Sequence, residues 1–202
     1  MNNNVITISR QYGSGGREIG QRLAKKLGIP FYDKELVALA AQKSGMSEDY
    51  FQNADERRTS SLLYSLSVGN YAFDTPGTTQ NLMPNDKLFL LQSQIIRKAA
   101  AKGPCVIVGR CADYVLQGKP HILRVFLYAD RKFRIQHAVE AYGLNAQKAD
   151  ASVNKTDRQR AAYYNFYTSL KWNDFTNYDL CLNTASIGFD RAVEIISAAC
   201  GG

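Results

Sequence analysis

No apolar run in this chain approaches the roughly 20 residues needed to span a membrane. The N-terminal Met1-Asn2-Asn3-Asn4 is not a basic segment leading into a long apolar one, so neither a membrane span nor a secretory leader is expected. Cysteine is scarce: Cys105, Cys111, Cys181 and Cys200, with no C-x-x-C pair. The two histidines, His121 and His137, stand at no metal-ligand spacing. A disulfide framework and a structural metal are therefore not expected, and a reduced cytoplasmic protein is. Cys105 and Cys181 lie inside apolar strand-like runs, so both thiols are expected to be buried. There is no dense Lys/Arg tract of the kind that makes a nucleic-acid arm, no internal repeat, no low-complexity segment and no linker that would divide the chain.

What is present points elsewhere. The 202 residues are 45% hydrophobic, enough for the core of one α/β domain. The net charge of +7, from 25 basic and 18 acidic residues, favours anionic partners such as phosphates and nucleotides. Short apolar runs alternate with helical patterns. Strands are expected at Val5 to Ser9, Pro30 to Asp33, Cys105 to Gly109, Ile122 to Tyr128 and Tyr178 to Asn183. Helices are expected at Glu18 to Leu27, stopped by Gly28, and at Lys34 to Ser44, Asp86 to Lys102, Arg131 to Tyr142, Asp157 to Lys171 and Phe189 to Ala199. Met46 to Asn85 is less regular, with a loop at Asp74 to Asn81.

Continuous apolar strands separated by helices imply a parallel sheet covered on both faces. Ligands of such folds bind beyond the carboxyl ends of the strands. Ser9, Asp33, Gly109-Arg110 and Tyr128-Ala129-Asp130 fall there. The first strand runs into "SRQYGSGGREIG", Ser9 to Gly20, laid out as strand, glycine turn and helix. Gly13, Gly15 and Gly16 let backbone N–H groups turn inward as an anion nest, backed by a helix dipole. A phosphate-binding loop carries a lysine after its last glycine. Here Gly16 and Arg17 follow Gly15 instead. Arg10 and Arg17 flank the loop as replacement charges, and Glu18 stands where Ser or Thr would reach a hydrated magnesium. Taken alone, the loop is equally a glycine-rich turn with two surface arginines.

Four stretches occur in order: "GSGGREIGQRLAKKLGIPFYD" (Gly13 to Asp33), "VGR" (Val108 to Arg110), "DRQR" (Asp157 to Arg160) and "YDLCLNT" (Tyr178 to Thr184). Together they resemble bacterial cytidylate kinases, and more closely the cytidylate kinase-like family. The resemblance implies a P-loop kinase fold whose five-stranded parallel sheet lies between helices. It implies a core of residues 1–33, 86–130 and 172–202, a helical monophosphate-binding insertion at about 34–85 and a lid at about 131–171. It implies ATP and magnesium as cofactors and a nucleoside monophosphate as acceptor. By position, Gly13, Ser14, Gly15 and Gly16 would hold the ATP phosphates, and the loop's own charges, Arg10, Arg17 and Glu18, would complete the ATP and magnesium site. Asp33, Arg110, Asp157 and Arg160 would bind the acceptor, and Arg110, Arg134 and Arg160 would act in transfer, joined by Arg17 as the charge that replaces the lysine. The chain departs from the cytidylate kinase pattern at Gly16 (lysine), Arg17 (glycine) and Glu18 (threonine). It departs again at Val108 and Cys111, which replace two aspartates, and at Leu39, which replaces an arginine.

Phosphoryl transfer needs positioned phosphates and neutralised charge more than covalent help from the protein. Arginines in the lid suit that need, although Arg131, Arg158 and Lys155 also fit a solvated helix face. The tyrosines of "AAYYNFYTSLKW", Ala161 to Trp172, are expected to pack the core rather than stack on bases. A phosphate-binding module without efficient catalysis is the alternative to an enzyme. Nucleic-acid binding through the basic surface has no motif behind it.

Overall fold

The computed structural model describes residues 5–33 and 84–201. The expected helix at Lys34 to Ser44, Leu39 and nearly all of the expected insertion lie outside the described residues. The strands are β1 (Val5–Arg10), β2 (Phe31–Tyr32), β3 (Cys105–Val108), β4 (Ile122–Tyr128) and β5 (Leu180–Asn183). The helices are α1 (Gly16–Leu27), α2 (Pro84–Lys102), α3 (Ala112–Val115), α4 (Arg131–Tyr142), α5 (Ala146–Thr168), α6 (Thr184–Ile187) and α7 (Phe189–Gly201). The five strands form one sheet in the order β2-β3-β1-β4-β5, and every pairing is parallel.

Alternation along the strands explains the layers. Ile6 and Ile8 of β1, Val106 and Val108 of β3, and Val125 and Leu127 of β4 all face one side. There they meet Ile19 and Leu23 of α1 and Ala192, Val193 and Ile196 of α7. Val5, Cys105 and Ile107 face the other side, against Ile96 of α2 and Ala112, Val115 and Leu116 at α3. The register Ser9↔Phe126 turns Phe126 toward this second side, where it packs with Tyr163, Tyr164, Tyr167, Trp172 and Tyr178. The tyrosines of α5 are thus core residues, as their helical spacing predicts. Tyr167 and Tyr164 also anchor α5 by donating to Asp86 (2.9 Å) and Asp113 (2.7 Å).

Two expectations are corrected. Cys181 is exposed, whereas Cys105 is buried, because β5 lies at an edge of the sheet and β3 lies inside it. The helix expected from Asp157 begins at Ala146, capped by the Asn145 side chain, which accepts from the N–H of Gln147 at 2.9 Å. Its first turns are nearly devoid of large apolar residues, so periodicity gives no signal there. The capping asparagine is the signal that was available.

The buried Asp113 carboxyl sets a pH dependence. Burial pushes it above its ordinary value, against the opposing hydrogen bond from Tyr164. A raised carboxyl binds its proton more tightly in the folded chain than in the unfolded one. Its contribution to stability is therefore full below the unfolded value and falls as pH rises through the folded value. Asp113→Asn keeps an acceptor for Tyr164 and removes the ionisation. The melting temperature of the variant minus that of the parent should grow as pH rises above about 4, the ordinary value of the unfolded carboxyl. A difference that stays constant as pH rises would remove Asp113 from the account.

Candidate functional site

The glycine loop joins β1 to α1 and is held from below. Ser14 is fully buried, and its hydroxyl donates to the carbonyls of Gln11 (2.8 Å) and Leu127 (3.2 Å). The Thr184 hydroxyl donates to the Ser14 carbonyl at 2.9 Å, and the Gln11 side chain accepts from the N–H of Ala129 at 3.2 Å. Ser14 therefore turns its side chain into the fold rather than toward a ligand. Gly15 is the N-cap of α1, with φ of 76° and ψ of 12°. That left-handed geometry starts the helix at Gly16 and aims its positive end out of the loop. Gly20 brings α1 down on the sheet: a Cβ there would lie 2.9 Å from Phe31 and 3.0 Å from Val108.

The helices α4 and α5 grip the same loop. Asp157 accepts from the N–H of Tyr12 at 2.7 Å and pairs with Arg134. Arg134, itself buried, donates to the carbonyls of Ala129 (3.1 Å) and Tyr12 (3.3 Å). Arg134 and Asp157, expected to touch nucleotides, here bind each other and the loop backbone. His137 Nδ1 lies 3.0 Å from the Gly13 carbonyl and its Nε2 lies 3.4 Å from Glu18. Phe189, at the start of α7, packs under Gly15 and edge-on to His137. Sequence reasoning missed His137 and Phe189, which carry no local motif.

The arginines separate into two groups. Arg17 turns toward the end of β2 and pairs with the buried Asp33 at 2.9 Å. Arg131 pairs with Asp150 at 2.6 Å on the surface, joining α4 to α5, and Arg158 and Lys155 are exposed. Arg10, Arg110 and Arg160 instead line one cleft at the carboxyl ends of β1 and β3, with Ser9, Gly109 and Cys111. Tyr163, Tyr164 and Trp172 close its far wall. Arg160 donates to the Arg10 carbonyl at 3.1 Å and lies over the Tyr12 ring, 5.5 Å from its centre. Arg110 Nη1 and Arg160 Nε are buried nitrogens with no hydrogen-bond acceptor among the described residues, although both side chains make other contacts.

Backbone geometry at the β3 end is unusual. Gly109, Arg110 and Cys111 have φ of 78°, 58° and 52° in succession. Arginine and cysteine rarely adopt left-handed geometry, so this turn stores strain. Its effect is to swing Arg110 into the cleft directly after the strand. Among the described residues, no cluster of three or more His, Cys, Asp or Glu could hold a metal ion, and no helix is long and apolar enough to cross a membrane.

Comparison with known proteins agrees with this architecture. A cytidylate kinase of Pyrococcus horikoshii is 25% identical over 197 residues, covering 96% of this chain and 87% of its own length. A cytidylate kinase of Archaeoglobus fulgidus is 26% identical over 199 residues, covering 96% and 93%. Among solved structures, an uncharacterized protein from Eubacterium ventriosum superposes with a TM-score of 0.72 at 26% identity, over 98% of this chain and 99% of its own. The shikimate kinase of Bacteroides thetaiotaomicron shares the fold, with a TM-score of 0.56 at 13% identity and coverage of 98% and 99%. The family profile matches residues 5–186, which take in the glycine loop, the arginine cleft and all five strands. A P-loop kinase fold with this loop and these motifs places the chain in the cytidylate kinase-like family.

Proposed function

We propose that the chain transfers the γ-phosphoryl group of ATP to a nucleoside monophosphate, with cytidylate (CMP or dCMP) the first acceptor to test. The observation that carries this reading is the cleft in which Arg10, Arg110 and Arg160 meet beside the glycine loop. The helix end at Gly15-Gly16 would receive the ATP phosphates on backbone N–H groups. Arg110 would hold the acceptor phosphate at the end of β3, and Arg160 would approach both from α5. Transfer then consists of one acceptor oxygen attacking the γ-phosphorus while the bond to the β-phosphate oxygen breaks, leaving ADP. Guanidinium groups suit the role because charge spreads over several equatorial oxygens during transfer.

In this reading Arg134 and Asp157 are positioning residues that tie the lid helices, residues 131–171, to the loop at Tyr12. Magnesium bound by nucleotide oxygens and water would need few protein ligands, and it would neutralise phosphate charge. Glu18, in the first turn of α1 with 32% of its side chain exposed, would meet such an ion in this reading.

A coupled assay for ADP release over a panel of nucleoside monophosphates tests the reading, with ligand-induced melting shifts run in parallel. Turnover with cytidylate above the other acceptors is the expected result. Stabilisation by ATP without turnover on any acceptor would instead select a phosphate-binding module.

A further inference from the structure

A phosphate-binding loop has the pattern Gly-x-x-x-x-Gly-Lys. Counted back from Gly15, the first glycine falls at position 10 and the lysine at position 16. This chain has the opposite kind of residue at both positions: a long cation, Arg10, where no side chain is expected, and Gly16 where a long cation is expected. The structure links the two departures. A Cβ on Gly16 would lie 2.6 Å from both Cβ and Cγ of Arg10, closer than such atoms approach. The stem of Arg10 therefore fills the space in which a side chain at position 16 would start. Its guanidinium continues to Gly109, where an added Cβ would collide with Arg10 Nη1. The tip of Arg10 thus reaches the turn that carries Arg110. The Arg10 main chain is held in turn by Arg160, which donates to its carbonyl at 3.1 Å.

From this geometry we infer that Arg10 supplies the positive charge of the absent loop lysine from the opposite end of the loop, and that position 16 is glycine in order to admit it. The inference rests on the ATP-binding reading above. It also changes what the charge does. A lysine is a compact point charge, whereas a guanidinium is a planar fork that bridges two oxygens. With its tip beside Gly109-Arg110, Arg10 would stand between the phosphates on the loop and the acceptor phosphate and could bridge the two.

The test is a reciprocal exchange, read by calorimetric titration of MgATP and by thermal melting of the full chain. Arg10→Gly should weaken ATP binding by about tenfold to a hundredfold, as expected for losing a charged hydrogen-bonding group. Gly16→Lys alone should lower the melting temperature, because its Cβ has no room. The double variant Arg10→Gly/Gly16→Lys restores the standard pattern and should recover ATP affinity above Arg10→Gly. Gly16→Ala should lower the melting temperature in the parent but not in the Arg10→Gly background, a readout independent of any ligand. Equal ATP affinity in the parent and Arg10→Gly would overturn the charge role. An equal cost of Gly16→Ala in both backgrounds would overturn the steric link. If the parent itself fails to bind ATP, the function reading fails with it, whereas parental binding that survives Arg10→Gly sinks this inference alone.

Discussion

Replacing Gly15 with valine is expected to abolish the melting shift produced by MgATP and to destabilise the chain by about 2–5 kcal/mol. Two independent causes add. The residue has φ of +76°, which costs an L-residue about 1–2 kcal/mol. Its new Cβ would also run into the ring of Phe189, which is packed against Phe133 and His137. Either the loop or the start of α7 must move, and the N–H groups at the head of α1 lose their alignment. Gly28→Ala separates the effects. Gly28 also has positive φ, +66°, but nothing lies within 4 Å of a Cβ placed there. That variant should lose about 1 kcal/mol of stability and keep its full ATP shift. A Gly15→Val protein that still responds to ATP like the parent would show that this loop is not the nucleotide site.

The second large effect is expected at Arg110. Its guanidinium enters the cleft from a turn whose three residues, Gly109 to Cys111, all have positive φ. Charge and strain are separable here. Arg110→Ala removes the charge and keeps the strain, whereas Arg110→Gly removes both. Each should lower turnover by roughly a hundredfold to a thousandfold, the loss typical of one group that stabilises transition-state charge. At the same time Arg110→Gly should be more stable than Arg110→Ala by about 1 kcal/mol, since glycine adopts left-handed geometry without a Cβ penalty. Turnover on the best acceptor together with chemical denaturation checks both. Parental turnover in either variant removes Arg110 from the reaction, and equal stabilities remove the strain argument.

The strands, α1 and the aromatic face of α5 were legible in the sequence because their signals are local. Short continuous apolar runs mark the strands, and the two-residue period of a strand puts Ile6 and Ile8 on one face of β1. Gly28 ends α1 in the left-handed form that glycine permits. The spacing of Tyr163, Tyr164 and Tyr167 selects one side of a helix. The position of Arg110 after a strand and a glycine was equally readable. The first half of α5 was not, because a helix held by a cap and local pairs has no apolar stripe there. Nor was the exposure of Cys181, since whether a strand lies at an edge depends on the order of all five strands.

The arginines divide along the same line. Sequence determined that positive charge surrounds the loop, and that position 16 cannot provide it. Only the tertiary structure decided which arginine points where: Arg17 toward Asp33, Arg134 onto Asp157 and the loop backbone, Arg10 across to Gly109. The reason is physical. A guanidinium stem is long and has many rotamers, and the acceptor that selects one of them is brought close by folding, from far along the chain.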